Sequence, residues 1–543
     1  MAGLSTNPTI ILKEGHTRDK GRDAQRNNIL AARAVADAVK TTLGPKGMDK
    51  MLVESDRDVV ITNDGATILW EMDIQHPVAK MIVEVARTQD DEVGDGTTTA
   101  VILAGELLAN AEKLMDQGVH PTVIIEGYKE ARRKAHQVLD EMAIEISKDD
   151  RKSLKKIAES AMTGKGIEVF KHKLSEICVD GAIAIEENGK VDVEDKVKVI
   201  KISGGSVGDS EINYGIVLDK ERLNPEMPKK IEDAKIVLLD GTLELKKLTT
   251  DAKIRITDAE SLQSFREGED DVLKEQVDAI ASTGAQVVFC KQGIGKYASR
   301  YLAKQEILAV RRVTDEEMEL LALATGGKII GDPLVMIGAD LGHAGLVEER
   351  KVKKDKKMVF VEGCESAKAI SIIIRGSTEQ AMDNIERAMD DGFKVVASVL
   401  ESGRIVPGGG APEVEIAERL RQYASSLGGR EQLAVDAFAD AVESIPRILA
   451  ENAGLDPIDL IVELRSKHGT GSNRYGLDVR QGGTIDMMEL GVAEPVRIKT
   501  QAIKSATEAA VVVLRVDDVI AAKREEMTPS PGQSPHDYTR GMM

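Results

Sequence analysis

The sequence predicts an α+β, multidomain fold in which helical text at both chain ends brackets an inserted α/β region. Three observations carry this. The first 145 residues or so are mainly helical in period. From 233 to 376 strand-like runs alternate with helical ones, the pattern of an α/β unit. From Gln380 onward the text is helical again. The chain must therefore leave one domain and return to it.

Composition bounds what such a fold can do. The chain has 543 residues, 42% hydrophobic and 30% charged, which excludes disorder for most of it. At about 150 residues per domain this length suggests three or four domains, or fewer large ones. Aromatic residues are only 3%, so the cores must be built from Ala, Val, Ile, Leu and Met. A net charge of −19 argues against general affinity for nucleic acid or an anionic membrane. Cys178, Cys290 and Cys364 are far apart, with no CxxC and no Cys/His metal spacing. A disulfide framework or zinc module is not expected, and a reducing cytoplasmic setting fits. No apolar run reaches about 18 residues, and the first eight residues lack a signal pattern, so neither a membrane span nor secretion is expected.

The elements follow in order. Residues 1–20 are polar and read as extended. Over 23–43, Ile29, Ala32, Val35, Ala36 and Val39 share a helical face, and Leu43-Gly44-Pro45 stops the helix. Residues 58–62 read as a strand ended by the turn Asn63-Asp64-Gly65. Helical text covers 78–91, the stretch after Gly94-Asp95-Gly96-Thr97-Thr98-Thr99, and 121–142. Short strands are expected at 196–203 and 215–219. Further strands are expected at 235–239, 285–289, 309–313, 328–330, 358–362 and 370–375. Helices are expected over roughly 412–425, 430–452 and 500–513; Pro412 suits a first turn, where a missing N–H costs nothing. The Pro/Ser/Gly-rich residues 527–543 read as a disordered tail.

Segment 258–282 is acidic, with Leu262, Phe265, Leu273, Val277 and Ile280 at near-helical spacing. It is either a core helix or an exposed partner-binding one, and Glu269-Asp270-Asp271 favour projection into solvent.

Four glycine elements could carry chemistry. In 94–99 the glycines permit close backbone approach, and the helix start behind them offers free N–H groups that suit phosphate. Asp95 would repel a phosphate unless a Mg²⁺ stood between them. An ordinary Thr-capped helix start is the plainer alternative. Alone, Asn63-Asp64-Gly65 reads as a turn and 43–47 as a helix stop. Gly408-Gly409-Gly410 is either an anion site or a flexible joint. Asp390-Asp391 reads by default as a solvated helix face. No GxxxxGK[ST] occurs, so this is no P-loop protein by the usual signature. Gly293-Ile294-Gly295-Lys296-Tyr297-Ala298 follows a strand and precedes a helix, as a dinucleotide fingerprint would. Lys296 and Tyr297 crowd that turn, and a plain strand–loop–helix is the stronger reading.

Taken together, LGPKGMDKML (43–52), VITNDGATIL (60–69), GDGTTTAV (94–101), GGGAPEVE (408–415), LAENAGLDP (449–457) and LRVDDVI (514–520) resemble the group II chaperonins, the archaeal thermosomes in particular. The resemblance runs to about residue 525. It implies a mainly helical equatorial ATPase domain (1–148 and 406–526), a small intermediate domain (149–218 and 368–405), and an inserted α/β apical domain (219–367) whose helical protrusion, about 258–282, forms a built-in lid. It further implies ATP-driven encapsulation and folding of non-native client proteins. The chamber would be made by self-association into stacked eight- or nine-membered rings, paralogous subunits possible, with no separate cochaperonin cap and neither nucleic acid nor membrane as partner.

By the same resemblance, Leu43, Gly44 and Pro45 match a loop over the nucleotide. Asp64 and Gly65 match an acidic turn at the γ-phosphate. Asp95 matches the Mg²⁺ ligand, and Gly96, Thr97, Thr98 and Thr99 the phosphate cradle. Gly409 and Gly410 match the loop near ribose and base, Glu494 an acidic residue at the ribose, and Gly476 with Leu477 the base contact. Lys165 matches a phosphate-sensing loop. Asp391 takes the place of the catalytic Asp, where a carboxylate orients and deprotonates the attacking water; Asp390 stands where His is common and is expected to point elsewhere. Other departures are Ser55-Asp56-Arg57-Asp58, Trp70, Gly295-Lys296, Gly392 and the short Gly541-Met542-Met543 end. Two other readings remain: a nucleotide-dependent metabolic enzyme, and an ATP-binding assembly subunit that does not cycle.

Overall fold

The structure, a computed structural model, describes residues 17–53, 59–244, 259–353, 356–364 and 368–521. The predicted tail at 527–543, residues 1–16 and Ser55 to Asp58 lie outside the described residues.

The two chain ends meet in one helical body. Arg22–Lys40, Pro77–Val93, Thr97–Asp116 and Pro121–Met142 come from the N-terminal side, and Ala411–Ser426, Glu431–Asn452 and Val496–Arg515 from the C-terminal side. They share a single apolar core running from Ile29 to Leu514. Thr97–Asp116 is its axis: Ala100 to Ala104, Leu107 and Leu108 are all at most 2% exposed, so this helix is apolar nearly all round. Gly105 lets the 22–40 helix approach, since a Cβ there would collide with the Ala36 methyl. Tyr128 and Phe438 meet edge-to-face at 5.6 Å, and the Tyr128 hydroxyl donates to the Leu107 carbonyl at 2.7 Å. A two-stranded ribbon closes the body, Thr17–Lys20 running antiparallel to Asp518–Ala521.

A second core is centred on Arg151–Ala161, Lys171–Ile185 and Glu379–Ser402, with the strands Val197–Ser203, Ile370–Gly376 and Glu211–Asn213. Arg404–Pro407 joins this region to the helical body, pairing with Ala493–Pro495 on one side and Ile144–Glu145 on the other.

The third region is a mixed sheet in the order Leu308–Arg311, Val287–Cys290, Lys230–Leu239, Gly342–Lys353, Lys356–Glu362, Gly215–Leu218, with Ile329–Ile330 also on Lys230–Leu239. Helices cover both faces, as the parallel part requires. Ile236 and Leu238 face the core under Asp315–Thr325, while Val237 and Leu239 face the core under Ala259–Ser282 and Lys296–Lys304. This is the two-residue alternation of a strand buried on both sides.

Four details depart from the sequence expectations. Asn63-Asp64-Gly65 is not a hairpin turn. Asp64 is the N-cap of the short helix Gly65–Glu71, accepting from Thr67 N–H at 2.8 Å. The longest strand, Gly342–Lys353, was not expected, and neither was the helix Pro457–Gly469. Residues 273–282 of the acidic segment do not project: Leu273, Val277 and Ile280 are at most 3% exposed, and Val277 and Ile280 belong to the sheet's core. Asp258 and the side chains of Leu262, Phe265, Glu269 and Asp270 lie outside the described residues. In line with the stronger sequence reading of 293–298, the space a side chain on Gly293 would take holds the Glu244 carboxylate. A carboxylate there would repel a pyrophosphate, so the 293–298 string is the plain strand–loop–helix.

Candidate functional site

The site gathers around the N-terminus of the Thr97–Asp116 helix. Gly94 and Gly96 take left-handed backbone (φ +70° and +79°), turning the chain so that Gly96 caps the helix. Among the described residues no side chain caps it, so first-turn N–H groups stay available for an anion. Asp95 Oδ1 accepts from Gly96 N–H at 2.7 Å. Gln89, fully buried, ties this loop down by donating to the carbonyls of Asp95 (2.8 Å) and Ile498 (3.2 Å).

Separate segments converge on that turn. Gly65 packs against Thr98, whose hydroxyl occupies the place of a Cβ. This puts Asp64 beside the helix start. Asn63 donates to the Gly164 carbonyl at 2.6 Å, linking the Asp64 loop to the loop that carries Lys165. A Cβ on Gly164 would lie 2.9 Å from Pro45 Cα, so the 43–45 loop closes on the same place. Asn452 fixes that loop by donating to the carbonyls of Lys40 (3.0 Å) and Leu43 (2.9 Å). Lys165 forms an ion pair with Asp391, both largely buried. Asp390 turns away, as expected, and pairs with Lys394 at 3.0 Å; Lys394 also reaches Asp90 at 3.6 Å.

The electrostatics are strained toward negative. Burial pushes the Asp90 carboxyl up to about 6, and Asp64, Asp390 and Asp91 add to it against the pull of Lys394. Among the described residues no three His, Cys, Asp or Glu side chains form a metal-binding group. A Mg²⁺ ion fits on other terms: it takes oxygen ligands, keeps several waters and shares carboxylates with substrate phosphates. The crowded carboxylates are the charge such an ion would offset.

A second group of residues forms the other end. Gly409 and Gly410 are left-handed (φ +63° and +79°) and start the Ala411–Ser426 helix. Leu477 N–H donates to the Gly409 carbonyl at 2.9 Å. A Cβ on Gly476 would lie 2.8 Å from the Gly408 carbonyl oxygen, so only glycine fits. Glu494 lies against Gly408 and shares Lys499 with Glu413, at 2.7 and 3.0 Å. Burial raises the Glu494 carboxyl, Lys499 pulls it down, and Glu413 and Asp95 push it up again. Burial alone would lower Lys499, but Glu413 and Glu494 outweigh it and hold the ammonium above the usual lysine range. Two carboxylates share one lysine, and Glu413 Oε2 is buried without a hydrogen-bond partner among the described residues. A ligand bearing hydroxyl donors, such as a ribose, matches that surplus of acceptors.

The structure thus brings Gly44, Pro45, Asp64, Gly65, Thr98, Lys165 and Asp391 together at one end, and Gly409, Gly476, Leu477 and Glu494 at the other. Asp95 and Gly96 lie between them, the latter against Ile498. Leu43 is held by Asn452, and Thr97 and Thr99 follow on the helix's first turn. Sequence reasoning missed Asn63, Gln89, Asp90, Lys394, Glu413, Asn452 and Lys499. Asn63, Glu413 and Asn452 sit inside motifs already noted. Gln89, Asp90, Lys394 and Lys499 carry no local signal, because they come from helix interiors brought in by tertiary packing.

Among the described residues no helix is long and apolar enough to cross a membrane. The TCP-1/cpn60 chaperonin family model matches residues 35–524. The chain is 58% identical to thermosome subunit beta and 56% identical to thermosome subunit alpha of Archaeoglobus fulgidus, in each case over 98% of both chains. It is 57% identical to the thermosome subunit of Methanopyrus kandleri over 95% of each. With most of its length matched and its glycine motifs converging on one site, the chain belongs to the TCP-1/cpn60 chaperonin family.

Proposed function

We propose that this chain is a chaperonin subunit whose ATP hydrolysis, carried out by Asp391 at the site above, drives the folding of non-native proteins in a closed ring chamber. Family membership makes the chain an ATP-dependent chaperone. The residue roles, the domain layout and the ring are our reading. The observation that carries it is the buried Lys165–Asp391 pair beside the uncapped Thr97–Asp116 helix start.

In this reading the helix N-terminus and the Thr97 and Thr98 hydroxyls hold the phosphates. Asp95 would hold a Mg²⁺, which would offset charge on those phosphates. Asp64 lies at the γ-phosphate side, and Glu494 with Glu413 accepts from the ribose. Lys165 is paired to Asp391, and an incoming phosphate would compete for it. That releases the Asp391 carboxylate to orient a water and take its proton.

The helical body serves as the equatorial domain, the second core as the intermediate domain and the mixed sheet as the apical domain. Residues 259–270 remain the candidate for a lid. An exposed hairpin supports self-association: among the described residues Lys50–Val53 and Val59–Thr62 pair only with each other, and Met51, Val53, Val59 and Ile61 are exposed. A lone two-stranded unit is marginal in water unless something covers it.

Native mass tests the assembly. Sixteen copies of a 58.7 kDa chain come to about 939 kDa. A particle of that size that hydrolyses ATP and raises the yield of a denatured client upholds the proposal. A monomer or dimer that hydrolyses ATP only with a small-molecule acceptor overturns it.

A further inference from the structure

His468 was singled out by no motif, yet it is the most enclosed histidine near the site, its side chain wholly buried. It lies in the last turn of Pro457–Gly469, where the helix dipole favours a cation. Nδ1 is 2.8 Å from Glu415 Oε2, and Nε2 is 2.8 Å from the Tyr475 carbonyl oxygen. Burial would raise the Glu415 carboxyl, but His468 and Arg419 outweigh it and hold it below the usual carboxylate range. An ionised carboxylate and a peptide carbonyl both only accept. Each ring nitrogen thus faces an acceptor oxygen, and the ring bridges the two partners.

The two partners belong to the two halves of the proposed base-binding end. Glu415 is one turn into the helix that starts at Gly410. Tyr475 begins the strand Tyr475–Leu477 that carries Gly476 and Leu477. Leu477 N–H returns to the Gly409 carbonyl at 2.9 Å, closing a circuit from the glycine loop through Glu415, His468 and the strand back to the loop. The other charged groups around the ring are Glu418 and Arg419 on the Ala411–Ser426 helix and Lys467 on its own helix. Lys467 lies over the Tyr475 ring at 5.0 Å and adds a second tie to the same residue.

We infer that His468 is a positioning residue for the nucleotide, its ring holding the 475–477 strand against the 408–410 loop where the base is to bind. This rests on the site reading proposed above. It touches neither Lys165 nor Asp391, so it sets affinity and base selectivity and leaves the hydrolytic step alone.

The test is steady-state ATP hydrolysis by the assembled protein. His468→Gln can reach one partner but not both. With one charge-assisted bond lost, the ATP KM should rise about tenfold, ATP should lose ground to GTP, and kcat at saturation should change less than about twofold. Glu415→Gln should shift KM in the same direction. Variants that leave KM unchanged, whether or not they lower kcat, overturn the inference. The site reading is judged separately: wild-type hydrolysis abolished by Asp391→Ala upholds it whatever His468 does, and a wild type that hydrolyses no ATP brings down both.

Discussion

The two ends of the site are built differently. The phosphate end straddles two apolar cores: Thr98 and Asp64 sit on helices of the chain-end body, while Lys165 and Asp391 are flanked by Met162, Ile167, Met389 and Phe393 of the second core. Most of the base end stays within one body; Glu494 is the exception, since its neighbour Ala493 packs in the second core. There Val414, Leu464 and Leu477 share a small core. Glu443, 1% exposed, is gripped by Arg421 (2.8 and 3.0 Å) and by Arg465, clamping the three helices behind it. Burial would raise Glu443, but the two guanidiniums outweigh it and keep it ionised. Recognition thus rests mainly on one body, and hydrolysis across a joint. A change in how the two cores meet would alter chemistry before it altered binding.

Four experiments break or sharpen that contrast. Asp391→Ala should lower kcat by on the order of 10²–10⁴-fold with ATP affinity nearly kept; single-turnover hydrolysis beside equilibrium binding separates the two, and equal loss in both would erase the division. Asp95→Ala should weaken Mg-ATP binding about tenfold or more, read by titration calorimetry at varied Mg²⁺; equal affinity would remove the metal role. Asn63→Ala cuts the tie between the Asp64 and Lys165 loops, costing about 1 kcal/mol and lowering kcat about fivefold with KM unmoved.

Asp90→Asn is the smallest in activity and is read in stability. The Asp90 carboxyl titrates near 6 when folded and near 3.8 when unfolded, so the folded state binds more protons between those values. Nucleotide-free wild type should therefore lose stability as pH rises from about 4 to about 6, on the order of 3 kcal/mol from this group. The Asn variant should be the more stable above pH 6, with the two curves meeting below pH 4. Thermal melts across that range decide it.

Much of this was legible in the sequence, for local reasons. The 121–142 helix is bounded as expected because Pro121 opens it and His120 caps it. The glycine motifs were visible because close approach allows no other residue at Gly65 or Gly476. The Gly342–Lys353 strand was not legible. Its run of Glu348, Glu349, Arg350 and Lys351 reads as solvated, whereas Glu349 is 1% exposed and ion-paired to Arg222 and Lys357. The Pro457–Gly469 helix had a signal that was passed over, Asp456 capping just ahead of Pro457. The lysine–carboxylate pairings were out of reach, since Lys165 and Asp391 stand more than 200 positions apart and nothing local joins them.

The ribbon between Thr17–Lys20 and Asp518–Ala521 bears on how the protein is made. The ribosome finishes the 121–142 helix and then synthesises roughly 270 residues before the 411–426 helix appears; at about 5–20 residues per second that is some tens of seconds. Throughout this interval Leu107, Leu108 and Tyr128 lack the C-terminal helices that bury them. The sheet region, whose strands all lie between Gly215 and Glu362, is complete long before. Nascent chains stalled at residue 400 should hold that region protease-resistant while the first 140 residues are still cleaved. A subunit of a folding machine is thus, during its own birth, the kind of half-finished chain that needs shelter.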